Sequence, residues 1–77
     1  MPDLDQAVRC YRGAIAMQEN YPDAHHQLGD TLFKQGKIEE ALAAYTRASE
    51  LKPQDANFAA DRSRVMRLWT GGNTAGT

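Results

Sequence analysis

The chain carries LDQAVRCYRGAIAM at residues 4–17 and IEEALAAYTRASEL at residues 38–51, and the two stretches match at a shift of 34 positions. The residues that fall in step are Leu4 with Ile38, Ala7 with Ala41, Val8 with Leu42, Tyr11 with Tyr45, Ala14 with Ala48 and Met17 with Leu51. In both stretches these residues follow helical spacing. A repeat of this length is typical of stacked helical hairpins, in which one unit cannot bury its apolar face alone. The repeat therefore predicts an all-α fold, an antiparallel stack of helical hairpins.

Length and composition set the class of protein. The 77 residues suffice for one small domain, and 42% hydrophobic with 25% charged residues is typical of a folded chain. The net charge of −1 gives no overall attraction to nucleic acid or acidic membranes. No apolar run approaches membrane-spanning length, and the first residues do not resemble a signal peptide. We therefore expect a cytoplasmic protein with no nucleic-acid or membrane partner.

Local signals place the helix boundaries. Four helices are predicted, at residues 3–19, from residue 22 to the glycine at 36, at 38–51 and at 56–69. Pro22 suits the first turn of the second helix, where its missing N–H costs no hydrogen bond. Gly36 can adopt the left-handed conformation that closes a helix C-terminus. Pro53 stops the third helix, and Asp55 is the expected N-cap of the fourth. Residues 71–77 have no apolar side chain large enough to anchor them, and we expect a disordered tail.

Residues 22–55 resemble one complete tetratricopeptide repeat. The matching residues are Leu28, Gly29, Leu32, Gly36, Ala41, Tyr45, Ala48 and Pro53. Three of them, Gly29, Ala41 and Ala48, are small where two helices must approach closely. The resemblance implies a fragment of an α-solenoid with about four helices, forming a single domain over residues 1–70. Within it, residues 3–21 correspond to the second helix of a partial repeat, and residues 56–70 to a capping helix, because Arg62-Ser63 replaces the expected leucine-glycine pair.

The resemblance also implies a function, since the first helices of successive units in this family line a concave groove that binds a peptide or a partner's helix. Carried over to this chain, the groove residues are Asp23, His26, Gln27, Asp30, Phe33, Lys34, Asn57, Asp61 and Arg64. Alternatively, they form a solvated helix face and Phe33 packs at its edge. Some members of the family hold a partner's terminal carboxylate here. An aspartate at position 30 would repel a carboxylate, so we expect another kind of ligand.

Chemistry of its own is not indicated for this chain. His26 and Asp30, four residues apart, could reach one ion, but no third ligand is in view, so we expect ordinary surface histidines and no metal. Cys10 lacks an activating base, and we expect it to be a half-buried structural residue. No nucleophile–base pair or phosphate-binding glycine loop is present, so neither an enzyme nor a cofactor is predicted. The arginines at 62, 64 and 67 do not share one face, which argues against a nucleic-acid site.

Two other interpretations remain open. The chain could be an accessory tetratricopeptide segment of a larger enzyme, such as a transferase, that presents a protein substrate. It could also be a self-association module. The face of the first helix that carries Ala7, Tyr11 and Ala14 has no hairpin partner in this sequence, so we expect either a homodimer through that face or a longer protein to which the chain belongs.

Overall fold

The computed structural model describes residues 3–74, and for residues 70–74 only the backbone. The described chain forms four helices: α1 (Leu4–Met17), α2 (Pro22–Lys34), α3 (Ile38–Leu51) and α4 (Ala56–Thr74). Each helix packs against the next one along the chain, and the α2–α3 pair has the most extensive contact. Because the connections are only a few residues long, consecutive helices run antiparallel. The predicted all-α hairpin stack is confirmed.

Helix boundaries follow the signals in the sequence. The carboxylate of Asp3 accepts a hydrogen bond from the backbone N–H of Gln6, and α1 starts at the next residue, Leu4. Pro22 occupies the first turn of α2, and Gly36 closes that helix with a φ of 80°. At the start of α4, Asp55 accepts hydrogen bonds from two backbone N–H groups. These caps satisfy donors and acceptors that a helix end otherwise leaves unpaired.

The core lies between α2 and α3 and extends to α4. Tyr45, Leu32 and Val65 are the largest fully buried side chains. Val8, Tyr11 and Ile15 of α1 pack against this core but are only half-buried, and α1 has no fully buried residue. One side of α1 is therefore left uncovered.

The helix α4 is longer than predicted. It continues through residues 71–74, where disorder is expected from the sequence, whereas residues 75–77 of that predicted tail lie outside the described residues.

None of the helices described in residues 3–74 combines the length and the apolar character needed to cross a membrane.

Candidate functional site

His26 joins α2 to α4 at the centre of the predicted groove residues. Its Nε2 atom lies 2.6 Å from a carboxylate oxygen of Asp61, 35 residues further along the chain. Its Nδ1 atom lies 3.8 Å from a carboxylate oxygen of Asp30, one turn away on α2. The imidazole is thus placed between two carboxylates, one facing each ring nitrogen.

Aromatic rings fix the position of this imidazole. It stacks on Phe58 of α4, with 4.5 Å between ring centroids and 24° between the planes. On the other side it lies 5.4 Å from the ring of Tyr45, in a tilted arrangement. With 17% of its side chain exposed, His26 is as much a packing residue as a polar one. Sequence analysis places it in the groove but does not find this packing role.

Tyr45 links α3 to the same cluster. Its hydroxyl donates a hydrogen bond to the Asp30 carboxylate. Burial raises the pKa of the Tyr45 phenol well above its ordinary value, and the hydrogen bond to Asp30 raises the pKa further. Tyr45 therefore remains a neutral donor in the folded protein throughout the neutral range. The sequence predicts a core aromatic residue at this position. It does not predict the hydrogen bond to Asp30, although the hydroxyl that distinguishes tyrosine from phenylalanine is compatible with one.

Arg64 completes the cluster at its outer edge. Its guanidinium lies 3.3 Å from the second carboxylate oxygen of Asp61, and also 5.9 Å from the centre of the Phe33 ring. About half of the Arg64 side chain remains exposed. The pair of Phe33 and Arg64 offers an aromatic surface beside a cation, a combination that is common where proteins bind one another.

A metal ion fits this cluster poorly, although the folded chain supplies the third ligand that the sequence lacks. Donor atoms of His26, Asp30 and Asp61 lie within 4.8 Å of one another. Each is already engaged: a carboxylate faces each imidazole nitrogen, the Tyr45 hydroxyl bonds Asp30, and Arg64 pairs with Asp61. An ion would have to compete with the Tyr45 hydroxyl for Asp30, and with His26 and Arg64 for Asp61. The cluster is therefore held together by the hydrogen bonds of His26 to Asp61 and of Tyr45 to Asp30, and by the ion pair of Arg64 with Asp61.

A second feature, the α1–α2 groove, lies between α1 and α2. It has a volume of about 300 Å³, and the residues that line it are Cys10, Tyr11, Ala14, Tyr21, Asp23, Ala24 and Gln27. Two of the predicted groove residues, Asp23 and Gln27, thus belong here and not to the His26 cluster. The remaining two, Lys34 and Asn57, are exposed. Five of the nine predicted residues thus meet in the His26 cluster, and two line the α1–α2 groove.

Two expectations from the sequence are wrong. His25 is buried, not a surface histidine, and its Nε2 atom lies 3.0 Å from the backbone oxygen of Glu19, which ties α2 to the segment after α1. Cys10 is exposed, not half-buried. Both errors have the same origin, since helical spacing gives the relative positions of residues but not which neighbouring helix covers them.

Comparison with known proteins agrees with the fold. A family model described as "TPR repeat" matches residues 3–36 and again residues 29–59. A peroxisomal targeting signal receptor of Eremothecium gossypii is 37% identical over 51 residues, which cover 66% of this chain and 9% of that protein. The human protein O-mannosyl-transferase TMTC2 is 35% identical over 65 residues, covering 84% of this chain and 7% of the transferase.

A third relative is the small glutamine-rich tetratricopeptide repeat-containing protein 2 of Saccharomyces cerevisiae. It is 34% identical over 62 residues, which cover 80% of this chain and 18% of that protein. The chain thus spans less than a fifth of the length of each of these relatives. The two matches to the family model together reach from residue 3 to residue 59, and the hairpin stack has the corresponding architecture. The chain belongs to the tetratricopeptide repeat family.

Proposed function

We propose that this chain is a non-catalytic module for protein–protein interaction, which binds a peptide or a partner's helix on the face shared by α2 and α4. We define this α2–α4 face by its outermost predicted residues, Phe33, Lys34, Asn57 and Arg64. Members of the family generally act in protein–protein interaction, which supports the coarse function. The face itself is our inference from the geometry.

The observation that carries the proposal is the His26 network. It holds α2 and α4 together through His26 and Asp61, and Arg64 is held against Phe33 by the same aspartate. Side chains ordered before binding lose less conformational entropy when a ligand arrives. At the same time, Lys34 and Asn57 are exposed and are free to bond a ligand, since no contact within the described chain engages their side chains. The face therefore combines a fixed aromatic–cation pair with adaptable polar groups.

Its charge argues for a ligand that is not simply acidic. Lys34 and Arg64 can pair with an acidic group, but Asp30 and Asp61 lie beneath the same surface. We propose a peptide or helix that offers both an apolar side chain to Phe33 and polar groups to its neighbours. We also propose that α4 is the capping helix of the domain, and that the protein acts in the cytoplasm, where an exposed free thiol such as Cys10 stays reduced.

Two wider settings deserve a test. A role as an accessory segment of a transferase is favoured by the match to the protein O-mannosyl-transferase, which covers most of this chain. Self-association through α1 is favoured by the incomplete burial of that helix, which has no fully buried residue. In the first setting, the α2–α4 face would hold a protein substrate of the enzyme. In the second, the partner would be another copy of this chain.

Affinity capture with matched variants tests the proposed face. The double variant Lys34→Ala/Asn57→Ala removes two exposed polar groups from it, while Glu39→Ala/Glu50→Ala removes two exposed groups from α3. Thermal melting followed by circular dichroism first establishes that both variants fold. We expect the wild type and the α3 variant to retain the same proteins, and the α2–α4 variant to lose some of them. The proposal fails if the α2–α4 variant retains everything that the wild type retains, or if the wild type retains no more than the unfolded chain.

A further inference from the structure

The α1–α2 groove corresponds, through the 34-residue repeat, to the surface on which α2 packs within this chain. At a shift of 34 positions, four of its lining residues have the following counterparts: Tyr11 corresponds to Tyr45, Ala14 to Ala48, Ala24 to Phe58 and Gln27 to Asp61. All four of these counterparts lie against α2 or are buried near it: Tyr45 contacts Gly29 and Asp30, Phe58 and Asp61 contact His26, and Ala48 is fully buried. At four of its seven lining residues, the groove therefore matches the surface on which α2 packs, and we call each of these two surfaces a seat for a helix.

The occupied seat shows what such a helix must carry. Gly29 is required there, because a β-carbon at this position would lie 2.8 Å from the Tyr45 ring. The next residue, Asp30, accepts the hydrogen bond of the Tyr45 hydroxyl. Since Tyr11 is the counterpart of Tyr45, a helix seated on α1 in the same way needs a glycine opposite the Tyr11 ring. A hydrogen-bond acceptor should follow directly.

The two seats differ in one respect that affects selectivity. Three residues before Gly29, His26 fits between Phe58 and the carboxylate of Asp61. In the α1–α2 groove the counterparts are Ala24 and Gln27, which leave more space and no charge. A helix that enters this groove should therefore carry a larger and uncharged side chain at that position, to fill the space left by the alanine.

A second copy of this chain cannot supply the helix in this geometry. Its α4 is the counterpart of α2, but Ser63 stands in place of Gly29 and Arg64 in place of Asp30. The serine β-carbon would meet the Tyr11 ring at the 2.8 Å that Gly29 avoids. The guanidinium of Arg64 has no acceptor to offer a phenol. The chain is thus asymmetric, with a seat on α1 that its own α4 does not fit.

We propose that the α1–α2 groove binds an amphipathic helix of a partner protein. That helix carries a glycine followed directly by an acidic or amide residue. A bulky uncharged residue lies three positions before the glycine. This surface is separate from the α2–α4 face, and the inference does not depend on the function proposed for that face. The internal repeat identifies the occupant, because the seat of α2 is the same interface one repeat later.

A peptide titration followed by nuclear magnetic resonance tests the inference on the intact chain. The probe is a synthetic peptide with the sequence of residues 21–36 that carries His26→Phe, added to the ¹⁵N-labelled chain up to about 1 mM, because isolated helices of this length are marginal and bind weakly. We expect saturable shifts of the amides of Tyr11, Ala14, Ala24 and Gln27. Adding Gly29→Leu to the peptide should weaken binding by about tenfold or more, as overpacking of a close contact does.

Matched variants of the chain locate the peptide. Ala14→Arg should abolish the shifts because it fills the groove, whereas Ala16→Arg places the same side chain on the exposed face of α1 and should leave binding unchanged. A peptide with the sequence of residues 56–69 should not bind.

Four results would overturn the inference. Two concern the peptide: no shift up to about 1 mM, or binding of the Gly29→Leu peptide as tight as that of the peptide without this change. The third is a set of shifts centred on Ala44 and Tyr45, which would reveal that the peptide displaces the chain's own α2. The fourth is a dimer in sedimentation that Ala14→Arg dissociates. The last result would assign the groove to a second copy.

Discussion

Gly29 and the ring of Tyr45 meet at a distance that leaves no room for a side chain. A β-carbon at position 29 would lie 2.8 Å from both Cδ1 and Cε1 of Tyr45, whose ring is fully buried and cannot move aside. The contact fixes how closely α2 and α3 approach. It also places Asp30, the next residue, where it can accept the Tyr45 hydroxyl hydrogen bond. One close contact thus sets both the packing and the polar network.

We expect Gly29→Ala to destabilise the domain by about 1–3 kcal/mol, because overpacking a filled contact outweighs the gain in helix propensity of roughly 1 kcal/mol. The control is Gly13→Ala on α1, where nothing lies within 4 Å of the added carbon and propensity alone acts. That variant should be more stable than the wild type by up to about 1 kcal/mol. Urea unfolding followed by circular dichroism measures both. Equal effects of the two substitutions would mean that the close contact is absent.

Gly36→Ala tests backbone conformation without any steric contact. Gly36 has a φ of 80°, and open space surrounds the position of the added carbon. The cost should be about 1–2 kcal/mol, the penalty of a left-handed conformation for an L-residue, and Gly36→Asn should cost less because asparagine tolerates this conformation. Unfolding in urea again gives the free energies. Alanine and asparagine variants of equal stability would contradict the proposed origin of the turn.

The boundary residues Asp3, Pro22, Gly36 and Asp55 could all be predicted from the sequence, because a helix end depends on neighbours within a few residues. The contact between His26 and Asp61 could not, since it spans 35 residues and depends on the angle at which α2 meets α4. Helical spacing gives the face of a residue on its own helix. It does not give the partner across an interface.

The same limit explains the division of the predicted groove residues. Asp23 and His26 belong to the same helix, and the resemblance places both in one groove. In the folded chain, Asp23 lines the α1–α2 groove while His26 contacts α4. The neighbour of each residue depends on how α1 and α4 pack against α2, which spacing along α2 does not give.

Tyr11 and Tyr45 occupy equivalent positions in the repeat but differ in burial, which predicts different costs of truncation. Tyr45 is 0% exposed, whereas Tyr11 is half-buried at the edge of the α1–α2 groove. We expect Tyr45→Ala to cost about 3–5 kcal/mol, enough to unfold so small a domain. Tyr11→Ala should cost markedly less and leave a cooperative melt. Similar losses in the two variants would show that α1 contributes to the core as fully as α3 does.

His26→Phe separates stacking from hydrogen bonding at the junction of α2 and α4. The new ring can still stack on Phe58, but Asp61 loses its 2.6 Å partner and retains only Arg64. We expect faster hydrogen exchange in α4 with little change in the exchange of α3, because the lost bond ties α4 to α2. Gln27→Ala, which removes an exposed neighbour, is the control and should leave the exchange of α4 unchanged. An unaltered α4 in the His26 variant would mean that the stack alone holds this helix.

Tyr45→Phe tests the hydroxyl, and its effect should depend on pH. Below pH 10 the variant should lose about 1–2 kcal/mol with the hydrogen bond to Asp30. The pKa of Tyr45 is raised in the folded chain by burial and by that bond, whereas in the unfolded chain the phenol ionises near its ordinary value of about 10. The stability that comes from this shift is therefore fully present below about pH 10 and is lost as the pH rises beyond it.

The difference between the wild type and Tyr45→Phe should accordingly stay constant up to about pH 9 and shrink as the pH rises from about 10 to 11, since the variant has no proton to lose at this position. Urea unfolding at a series of pH values measures it, and other groups that ionise in this range are common to both proteins. The absorbance of phenolate at alkaline pH provides an independent check. One tyrosine in the wild type should ionise only as the chain unfolds, and that step should be missing in the variant. A constant free-energy difference across this pH range would contradict a neutral, buried Tyr45 bonded to Asp30.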